Sequence, residues 1–407
     1  MSAQPLPLAG VRVVDISSSY AGPTASMYLG DMGADVVKVE RPHIGDDARS
    51  WGPPFVGDQA AWFLSANRNK RSACIDLSQP PGRELLLRLL DGTDVFIENL
   101  NPAKLGQLGL DPGEVRGPRP RLIYCAISGF GLDGPDHDRP GYDLIAQARS
   151  SLMSVTGAPG AMPQRVSTAL SDVVTGMLAA FTISAALFRR ASTGEGELIE
   201  LSLLESDLAL MAPRIAAFLA GDPEPKPSGG MDSVLAVYQP FETADAPIVL
   251  AVGNDRMWQR CCGVLGLEEL AADEELATNA GRRERRHEVV AAVAERLAAA
   301  PAAEWLERFA AAGVPCQPVN FLSSVVTDPQ VLSRGAIAEH DHPTAGVYSA
   351  VQAPWRLGSS GRGAAEPPPM LGAHTAEVLA EAGLTPHEVA ALVAEGVAWD
   401  ASGEVRL

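Results

Sequence analysis

Short apolar runs alternate with helical patterns through the first 130 residues. Helical patterns cover residues 24–32 and 81–90. The runs that predict buried strands lie at residues 11–16 (VRVVDI), 35–40 (DVVKVE), 72–77 (SACIDL), 94–97 (DVFI) and 121–128 (RLIYCAIS). Strands that alternate with helices are typical of a mainly parallel sheet. We therefore expect an α/β fold in which a doubly wound, Rossmann-like sheet forms a large domain.

A change of composition divides the remainder of the chain. At residues 223–229 the sequence PEPKPSG is rich in proline, which is typical of a linker. A pair of strand-like runs and three helical patterns follow it, which predict a smaller α+β domain. Since 407 residues exceed one ordinary core, we predict a large domain over residues 1–221, a small domain over 222–325, and a return of residues 326–407 to the large domain.

One long apolar helix is predicted within residues 165–190, and Asp172 lies near its start. Apolar and small side chains occupy nearly every face after Asp172, so we expect this helix to be buried on most sides. Asp172 has two interpretations. It is either an N-cap that accepts hydrogen bonds from unpaired backbone N–H groups, or a nucleophile that forms a covalent acyl intermediate. The rest of the chain favours the nucleophile.

Composition and charge exclude several classes of protein. A net charge of −18 argues against nucleic-acid binding, which needs a basic surface. No apolar run approaches the ~18 residues of a membrane span, and the first residues lack the pattern of a secretory signal. The five cysteines have no C-x-x-C spacing, so neither a disulfide framework nor a metal site is indicated. We expect a cytoplasmic protein with reduced thiols and no membrane partner.

The loop after the first predicted strand is a candidate ligand site, because open α/β sheets bind ligands at the carboxyl ends of their strands. This loop, residues 17–23, reads SSSYAGP and lacks the G-x-G-x-x-G pattern of dinucleotide-binding enzymes. Arg41 follows the second strand, and a basic cluster at residues 67–71 (NRNKR) precedes the third. Such cations are either solvated surface charges or, in so acidic a chain, contacts for the phosphates of an adenosine nucleotide.

Several stretches occur in an order that matches a known family. They are LAGVRVVDIS from Leu8, FLSANRNKRSACIDL from Phe63, DVFIENL from Asp94, LIYCAISGFGLDGPDHDRPGYDLIAQA from Leu122, SDVVTGMLAA from Ser171 and TGEGELIELSLLES from Thr193. Together they resemble the class III CoA-transferase family, which also includes acyl-CoA racemases. The resemblance covers nearly the whole chain.

The resemblance implies a reaction and its residues. The acid that precedes V-x-T-G is the family's nucleophile, and here it is Asp172. CoA would move from an acyl-CoA to a small carboxylic acid through an aspartyl anhydride and an aspartyl-CoA thioester, with CoA as substrate and no prosthetic group. The resemblance also implies an interlocked homodimer and a glycine loop, Gly229 and Gly230, that covers the reacting groups. The CoA contacts carried over are Ser18, Ser19, Tyr20, Ala21, Arg41, Asn69, Lys70, Arg71, Asn99 and Leu100.

The chain departs from the family at informative positions. Racemase members carry a His-Asp pair where this chain has Tyr142 and Asp143, and no histidine lies within residues 141–176. Because tyrosine is a poor base for an α-proton near neutral pH, transfer is favoured, with racemisation or isomerisation as the alternative. A CoA-binding module without activity is a third hypothesis, against which Asp172 speaks. Gly229 and Gly230 lie where many relatives show G-N-x-H-P, so the resemblance does not predict which acyl group the protein accepts.

Overall fold

The structure, a computed structural model, describes residues 4–363 and 365–401. The chain forms two compact units. The first contains the described parts of Met1–Leu152, Val166–Gly221 and Gln330–Leu407, and the second contains Met153–Arg165 and Asp222–Pro329. The segment Met153–Arg165 therefore belongs to the second unit, although it precedes the predicted boundary at residue 222.

The strands of the described residues are short, mostly two to six residues. In chain order they are β1 (Arg12–Asp15), β2 (Asp35–Glu40), β3 (Phe55–Val56), β4 (Gln59–Ala60), β5 (Arg71–Ile75), β6 (Val95–Glu98), β7 (Ile123–Ser128), β8 (Leu198–Ser202), β9 (Tyr238–Phe241), β10 (Ile248–Ala251), β11 (Cys316–Pro318), β12 (Ile337–His342), β13 (Gly346–Val351) and β14 (Ala398–Trp399).

Two α-helices are much longer than the rest, and both belong to the first unit. In chain order the helices are α1 (Ala21–Asp31), α2 (Ala61–Ala66), α3 (Pro80–Leu90), α4 (Pro102–Leu108), α5 (Pro112–Arg116), α6 (Asp143–Arg149), α7 (Leu170–Thr193), α8 (Leu203–Leu219), α9 (Asp255–Leu265), α10 (Glu268–Ala272), α11 (Asn279–Glu284), α12 (Arg286–Leu297), α13 (Ala302–Ala311), α14 (Leu322–Val325), α15 (Pro329–Ser333), α16 (Thr375–Glu381) and α17 (Pro386–Ala394). Short 3₁₀ helices occur at Asp47–Ser50, Met153–Val155 and Glu274–Leu276.

Seven strands of the first unit form one sheet in the order β14-β5-β2-β1-β6-β7-β8. Every neighbouring pair is parallel except β14 with β5. In the centre, Val13 of β1 pairs with Val36 on one side and with Val95 on the other. The predicted α/β class with a mainly parallel sheet is confirmed.

Helices cover both faces of this sheet. Val13 and Val14 are adjacent in β1 and both are fully buried, yet they belong to two different hydrophobic cores. The core of Val13 includes residues of α1 and α7, whereas the core of Val14 includes residues of α3, α16 and α17. Burial on both faces explains why the strands read as continuous apolar runs.

Helix α7 packs closely against α1 along one stripe of small residues. Its buried residues are Ser171, Thr175, Gly176, Ala179, Ala180 and Ile183, a spacing of three and four that defines one helical face. A Cβ at Gly176 would lie 2.7 Å from the carbonyl oxygen of Ala21. Only a glycine lets the two backbones approach this closely.

The opposite face of α7 is exposed in the single chain. Met177, Phe181 and Phe188 are 41%, 70% and 84% exposed, so the prediction that this helix is buried on most sides is wrong. An apolar sequence shows which faces can be covered but not whether a neighbour covers them. By length and a mean hydropathy of 1.6, α7 could also cross a membrane, a test that core helices of soluble proteins pass as well.

The second unit has its own core and its own sheet. Strands β9, β10 and β11 form an antiparallel sheet in the order β11-β10-β9. Trp258 of α9, Val289 and Val293 of α12 and Phe309 of α13 are buried in its core. The strand pair and the three helical patterns predicted beyond the proline-rich segment are therefore present.

Candidate active site

The order of strands creates a crevice beside the carboxyl end of β1. Strand β1 connects through α1 to β2 on one side, whereas β6 and β7 lie on its other side, so the loops after β1 and β6 diverge at this point. Two hydrogen bonds join these loops. The Ser18 N–H donates to Asn99 Oδ1 (3.0 Å), and Asn99 Nδ2 donates to the Ser18 carbonyl oxygen (2.8 Å).

A cavity of about 230 Å³ lies at this crevice. It brings together seven predicted site residues from four separate stretches of sequence. They are Ser18, Ser19, Ala21, Asn99, Leu100, Tyr142 and Asp172. The structure therefore groups the candidate nucleophile with the loops after β1 and β6.

A second cavity of about 480 Å³ adjoins the first, since Ser18 and Leu100 line both. Arg41 lines it, and its exposed guanidinium pairs with Asp47 at 2.5 Å. Lys104 of α4 lies in the same lining and was not predicted. The signal that could have found Lys104 is its position, because it follows the Asn99–Pro102 turn by two residues and is exposed in the first turn of α4.

Tyr20 lies near the candidate nucleophile but lines a different cavity. It lines a third cavity, of about 340 Å³, together with Val173, which follows Asp172 in the chain. The hydroxyl groups of Tyr20 and Ser65 are 2.9 Å apart, and the rings of Tyr20 and Trp62 meet edge to face at 5.3 Å. Tyr20 is thus near Asp172 but faces a different space from Ser18 and Ser19.

The three predicted CoA contacts of the basic cluster are not brought to Asp172, whereas Arg68 of the same cluster lines the cavity of Tyr20 and Val173. Asn69, Lys70 and Arg71 line a separate cavity of about 590 Å³, which contains none of the other predicted site residues. Lys70 is buried and donates to the carbonyl oxygen of Pro23 and to Asn67 Oδ1, both at 2.8 Å. Burial lowers the pKa of the Lys70 ammonium to about 7.

The other two predicted CoA contacts of this cluster, Asn69 and Arg71, also bind other side chains of the same chain. Asn69 Nδ2 donates to Asp31 at 2.8 Å. Arg71 forms ion pairs with Asp35, Glu377 and Glu381 at 2.6, 2.8 and 2.7 Å. These contacts give Asn69, Lys70 and Arg71 a structural role, and their contact with CoA phosphates stays a prediction.

Gly229 and Gly230 lie in the second unit. Their φ angles are 67° and 89°, a region that glycine adopts without strain. The Gly229 N–H donates to the carbonyl oxygen of Gly157 at 2.8 Å. The role of this loop as a cover over the reacting groups stays a prediction.

Asp172 is the third residue of α7, and the N-cap is Ala169. The interpretation of Asp172 as an N-cap is therefore wrong. The start of the helix is held from another helix instead, because Asp143 Oδ1 of α6 accepts a hydrogen bond from the Ser171 N–H at 2.8 Å. This contact joins residues 28 positions apart, which local sequence patterns do not reveal.

The carboxylate of Asp172 is partly buried and lies near other acids. Burial raises the pKa of Asp172 to about 7, and the nearby carboxylates of Asp143 and Asp207 add to this effect. An ordinary aspartate has a pKa of about 3.9. Asp172 is thus a carboxylate with a raised pKa in a cavity, which makes it a candidate functional group.

This raised pKa makes the stability of the protein depend on pH. Between the unfolded pKa near 4 and the folded pKa of about 7, the native state binds more protons than the unfolded state, so stability falls as pH rises through this window. Replacing Asp172 with asparagine is expected to raise the free energy of unfolding at pH 8 by about 1–3 kcal/mol and to have little effect at pH 4. Chemical denaturation at both pH values measures this, and an equal change at both would contradict it.

One histidine lies in the same cavity as Asp172. His137 lines it, with Nδ1 at 2.9 Å from the carbonyl oxygen of Gly134 and Nε2 at 3.1 Å from the carboxylate of Asp138. His137 was not predicted as a base, because it lies outside residues 141–176 and its loop folds back to the cavity of Asp172.

Comparison with known proteins agrees with this arrangement. The model of a family described as CoA-transferase family III matches residues 8–375. The succinyl-CoA:glutarate CoA-transferase of Mus musculus is 41% identical over 375 residues, covering 92% of this chain and 86% of that protein. The succinate–glutarate CoA-transferase of Agrobacterium fabrum is 38% identical over 381 residues, covering 92% and 95%.

A solved structure extends this similarity to the fold. The crystal structure of a CAIB/BAIF family protein from Brucella suis superposes with a TM-score of 0.80 at 36% identity, covering 93% of this chain and 100% of that one. The resemblance drawn from the ordered stretches is confirmed, and the chain is a CoA-transferase. By sequence and by structure, it belongs to CoA-transferase family III.

Proposed function

We propose that the protein moves CoA from an acyl-CoA thioester to a free carboxylic acid, with Asp172 as the covalent nucleophile. The observation that carries this proposal is a single basic carboxylate, Asp172, in a cavity lined by the loops after β1 and β6. A carboxylate with a raised pKa is a better nucleophile than an ordinary one. The adjoining cavity with Arg41 and Lys104 supports binding of the CoA phosphates beside it.

The proposed reaction uses two covalent forms of the enzyme. An oxygen of Asp172 attacks the thioester carbon, the C–S bond breaks, and the electron pair leaves with sulfur as CoA thiolate. The thiolate then attacks Cγ of Asp172, and the first acid leaves as a carboxylate with the electron pair of the broken C–O bond. The incoming acid reverses these steps through its own anhydride. Covalent catalysis divides one difficult exchange into easier steps.

Dicarboxylic acids are the substrates to test first. The relatives from Mus musculus and Agrobacterium fabrum are named for succinate and glutarate, and a 35% identical relative from Acetobacter aceti is named for acetyl-CoA and oxalate. The protein is incubated with succinyl-CoA and glutarate, oxalate or mesaconate, and new CoA esters are identified by mass spectrometry. No new ester with any acid, tested with several acyl-CoA donors, contradicts the proposal.

The same experiment tests the alternative reaction. His137 lies in the cavity of Asp172 and is a candidate base for an α-proton, which favours keeping racemisation as a second function. In deuterated water, α-deuteration of a 2-methylacyl-CoA without transfer of CoA supports racemisation. Transfer without deuteration supports the proposed function.

The cations Arg41 and Lys104 of the second cavity, of about 480 Å³, are expected to bind CoA. Arg41→Ala and Lys104→Ala should each raise the KM for acyl-CoA about tenfold with little change in kcat, because one charge-assisted contact to a phosphate contributes about 1.5 kcal/mol. Initial rates at several ionic strengths measure this, and the effect should shrink at high salt. Arg189→Ala is the control, since Arg189 is an exposed cation paired with Glu197 outside this cavity. A KM unchanged in both cavity variants would contradict the assignment.

A homodimer is also proposed, on the resemblance and on the exposed apolar surface of the first unit. Phe181 and Phe188 of α7 are exposed, as are Phe218 and Leu219 of α8. Clustered exposed apolar side chains are typical of surfaces that bind another protein. A second copy of this chain is the partner that the resemblance implies.

A further inference from the structure

A second acid near Asp172 has an unusual environment. Asp207 of α8 is fully buried. Its Oδ2 accepts hydrogen bonds from the hydroxyls of Ser171 (2.9 Å) and Ser150 (3.3 Å). Its Oδ1 is buried too, and no described residue donates a hydrogen bond to it. A buried carboxylate oxygen without a partner is costly and calls for an explanation.

Asp207 acts on Asp172 through the residue between them. Ser171 donates its hydroxyl to Asp207 and its N–H to Asp143, and the next residue in the chain is Asp172. Helices α6, α7 and α8 pack together, and each contributes one acid to this cluster. The acids near Asp172 are Asp143 from α6 and Asp207 from α8. His137 and Arg139 of the loop before α6 line the same cavity, and Tyr20, which precedes α1, also lies near Asp172.

The pKa of Asp207 is raised from its ordinary value, and its hydrogen bonds oppose this shift. Burial raises the pKa of Asp207, whereas the hydroxyls of Ser171 and Ser150 lower it and the charge of Asp143 raises it. Donors on Oδ2 favour the ionised form. The experiments are therefore done at pH 8, well above the ordinary aspartate pKa of about 3.9.

We propose that Asp207 is a positioning residue of the transfer reaction, which holds the start of α7 through Ser171. Its negative charge increases the fraction of enzyme that carries CoA as a thioester at equilibrium. This inference rests on the proposed function. Asp207 itself does not contact the reacting atoms in this scheme. Its effect passes through the acidity of Asp172.

The chemical reason lies in the balance of the first half-reaction. The Asp172 carboxylate and an acyl-CoA give the enzyme–CoA thioester and the carboxylate of the free acid, so one carboxylate is consumed and one is formed. One oxygen of Asp172 leaves with that acid. The equilibrium favours the anion of the stronger acid, and each pKa unit between the two acids changes it about tenfold. A neighbouring negative charge makes Asp172 the weaker acid, which favours the thioester on the enzyme.

Asp207→Asn tests this inference, because it keeps the shape and an acceptor for the Ser171 hydroxyl while it removes the charge. The protein is mixed with succinyl-CoA and increasing succinate at pH 8, and the fraction that carries CoA is measured by intact-protein mass spectrometry. Without the charge, half-loading should need a three- to tenfold higher ratio of succinyl-CoA to succinate. Glu205→Gln is the control, since Glu205 is an exposed acid on the same helix, and its half-loading ratio should not change.

The outcomes separate the two proposals. If the unmodified protein forms thioester and Asp207→Asn loads at the same ratio, the role of Asp207 is overturned while the proposed function stands. If no thioester forms in the unmodified protein with any donor that supports transfer, the proposed function fails first.

The pH dependence of loading in the unmodified protein gives a test that needs no variant. Above the pKa of Asp172 the half-loading ratio should be constant, and below it the ratio should rise about tenfold per pH unit, because protonated Asp172 must first lose its proton. A break near pH 7 is expected. A break near pH 4 would overturn the inference.

Discussion

Replacing Asp172 with alanine is expected to lower the rate of CoA transfer by about 10³-fold or more, because the proposed route through covalent intermediates would be lost. The affinity for acyl-CoA should change much less, since the substitution does not alter the loops after β1 and β6 or the cations Arg41 and Lys104 of the second cavity. Asp172→Asn should have the same effect on rate, because an amide does not attack a thioester. Steady-state rates and a binding titration with acyl-CoA measure the two quantities separately.

The control for this prediction is Asp133→Asn, since Asp133 is an exposed acid outside the cavity of Asp172. Its rate should match that of the unmodified protein. With acyl-CoA alone, the unmodified protein should gain the mass of CoA on the peptide that contains Asp172, and the alanine variant should not. Turnover that survives in Asp172→Ala, or the added mass on another residue, would contradict the mechanism.

Replacing Gly176 with alanine is expected to destabilise the protein by about 2–3 kcal/mol and to lower turnover more than tenfold, because overpacking at a backbone contact displaces a helix. The new Cβ would lie 2.7 Å from the Ala21 carbonyl oxygen and 2.7 Å from Thr24 Cβ. Backbone on both helices cannot move aside as a flexible side chain does. Gly176 lies one helical turn after Asp172, so the displacement should reach the proposed nucleophile.

Gly263→Ala is the matched control for Gly176→Ala. Gly263 lies within α9, and a Cβ there would meet no heavy atom within 4 Å. The same substitution should therefore stabilise the protein by about 0.5–1 kcal/mol, since alanine favours a helix more than glycine does. Denaturant unfolding and turnover of both variants measure the contrast. A Gly176→Ala variant as stable and as active as the unmodified protein would show that α1 and α7 can separate without loss.

The strands could be predicted where both faces are buried. The run 35–40 coincides with β2 because every residue after Asp35 is buried. The order of strands in the sheet could not be predicted from patterning, since it depends on which loops cross over. Helix α17 was not predicted although the sequence contains a signal for it. Thr385 and Glu388 form a capping box, which the sequence T-P-H-E predicts.

The candidate site could be predicted only where its residues lie in recognisable stretches. Asp172 was found from its place near the start of a long apolar helix and from V-x-T-G, and Ser18 and Asn99 were carried over from the family resemblance. Asp207 was missed because it acts through Ser171, 36 positions earlier in the chain. The exposed face of α7 was missed for a different reason, since its sequence is that of a buried helix and only the structure shows that the chain leaves it uncovered.

The late position of β14 has a consequence for how the protein is made. Ala398 in β14 completes the same core as Ile75 in β5, together with Val378, Leu379 and Val389 from α16 and α17. During synthesis on the ribosome these side chains emerge long after the central strands. Until then, the edge of β5 that pairs with β14 has no partner strand. We expect nascent chains that stop before α16 to expose this edge and to depend on chaperones, whereas the second unit, complete by Pro329, can fold while synthesis continues.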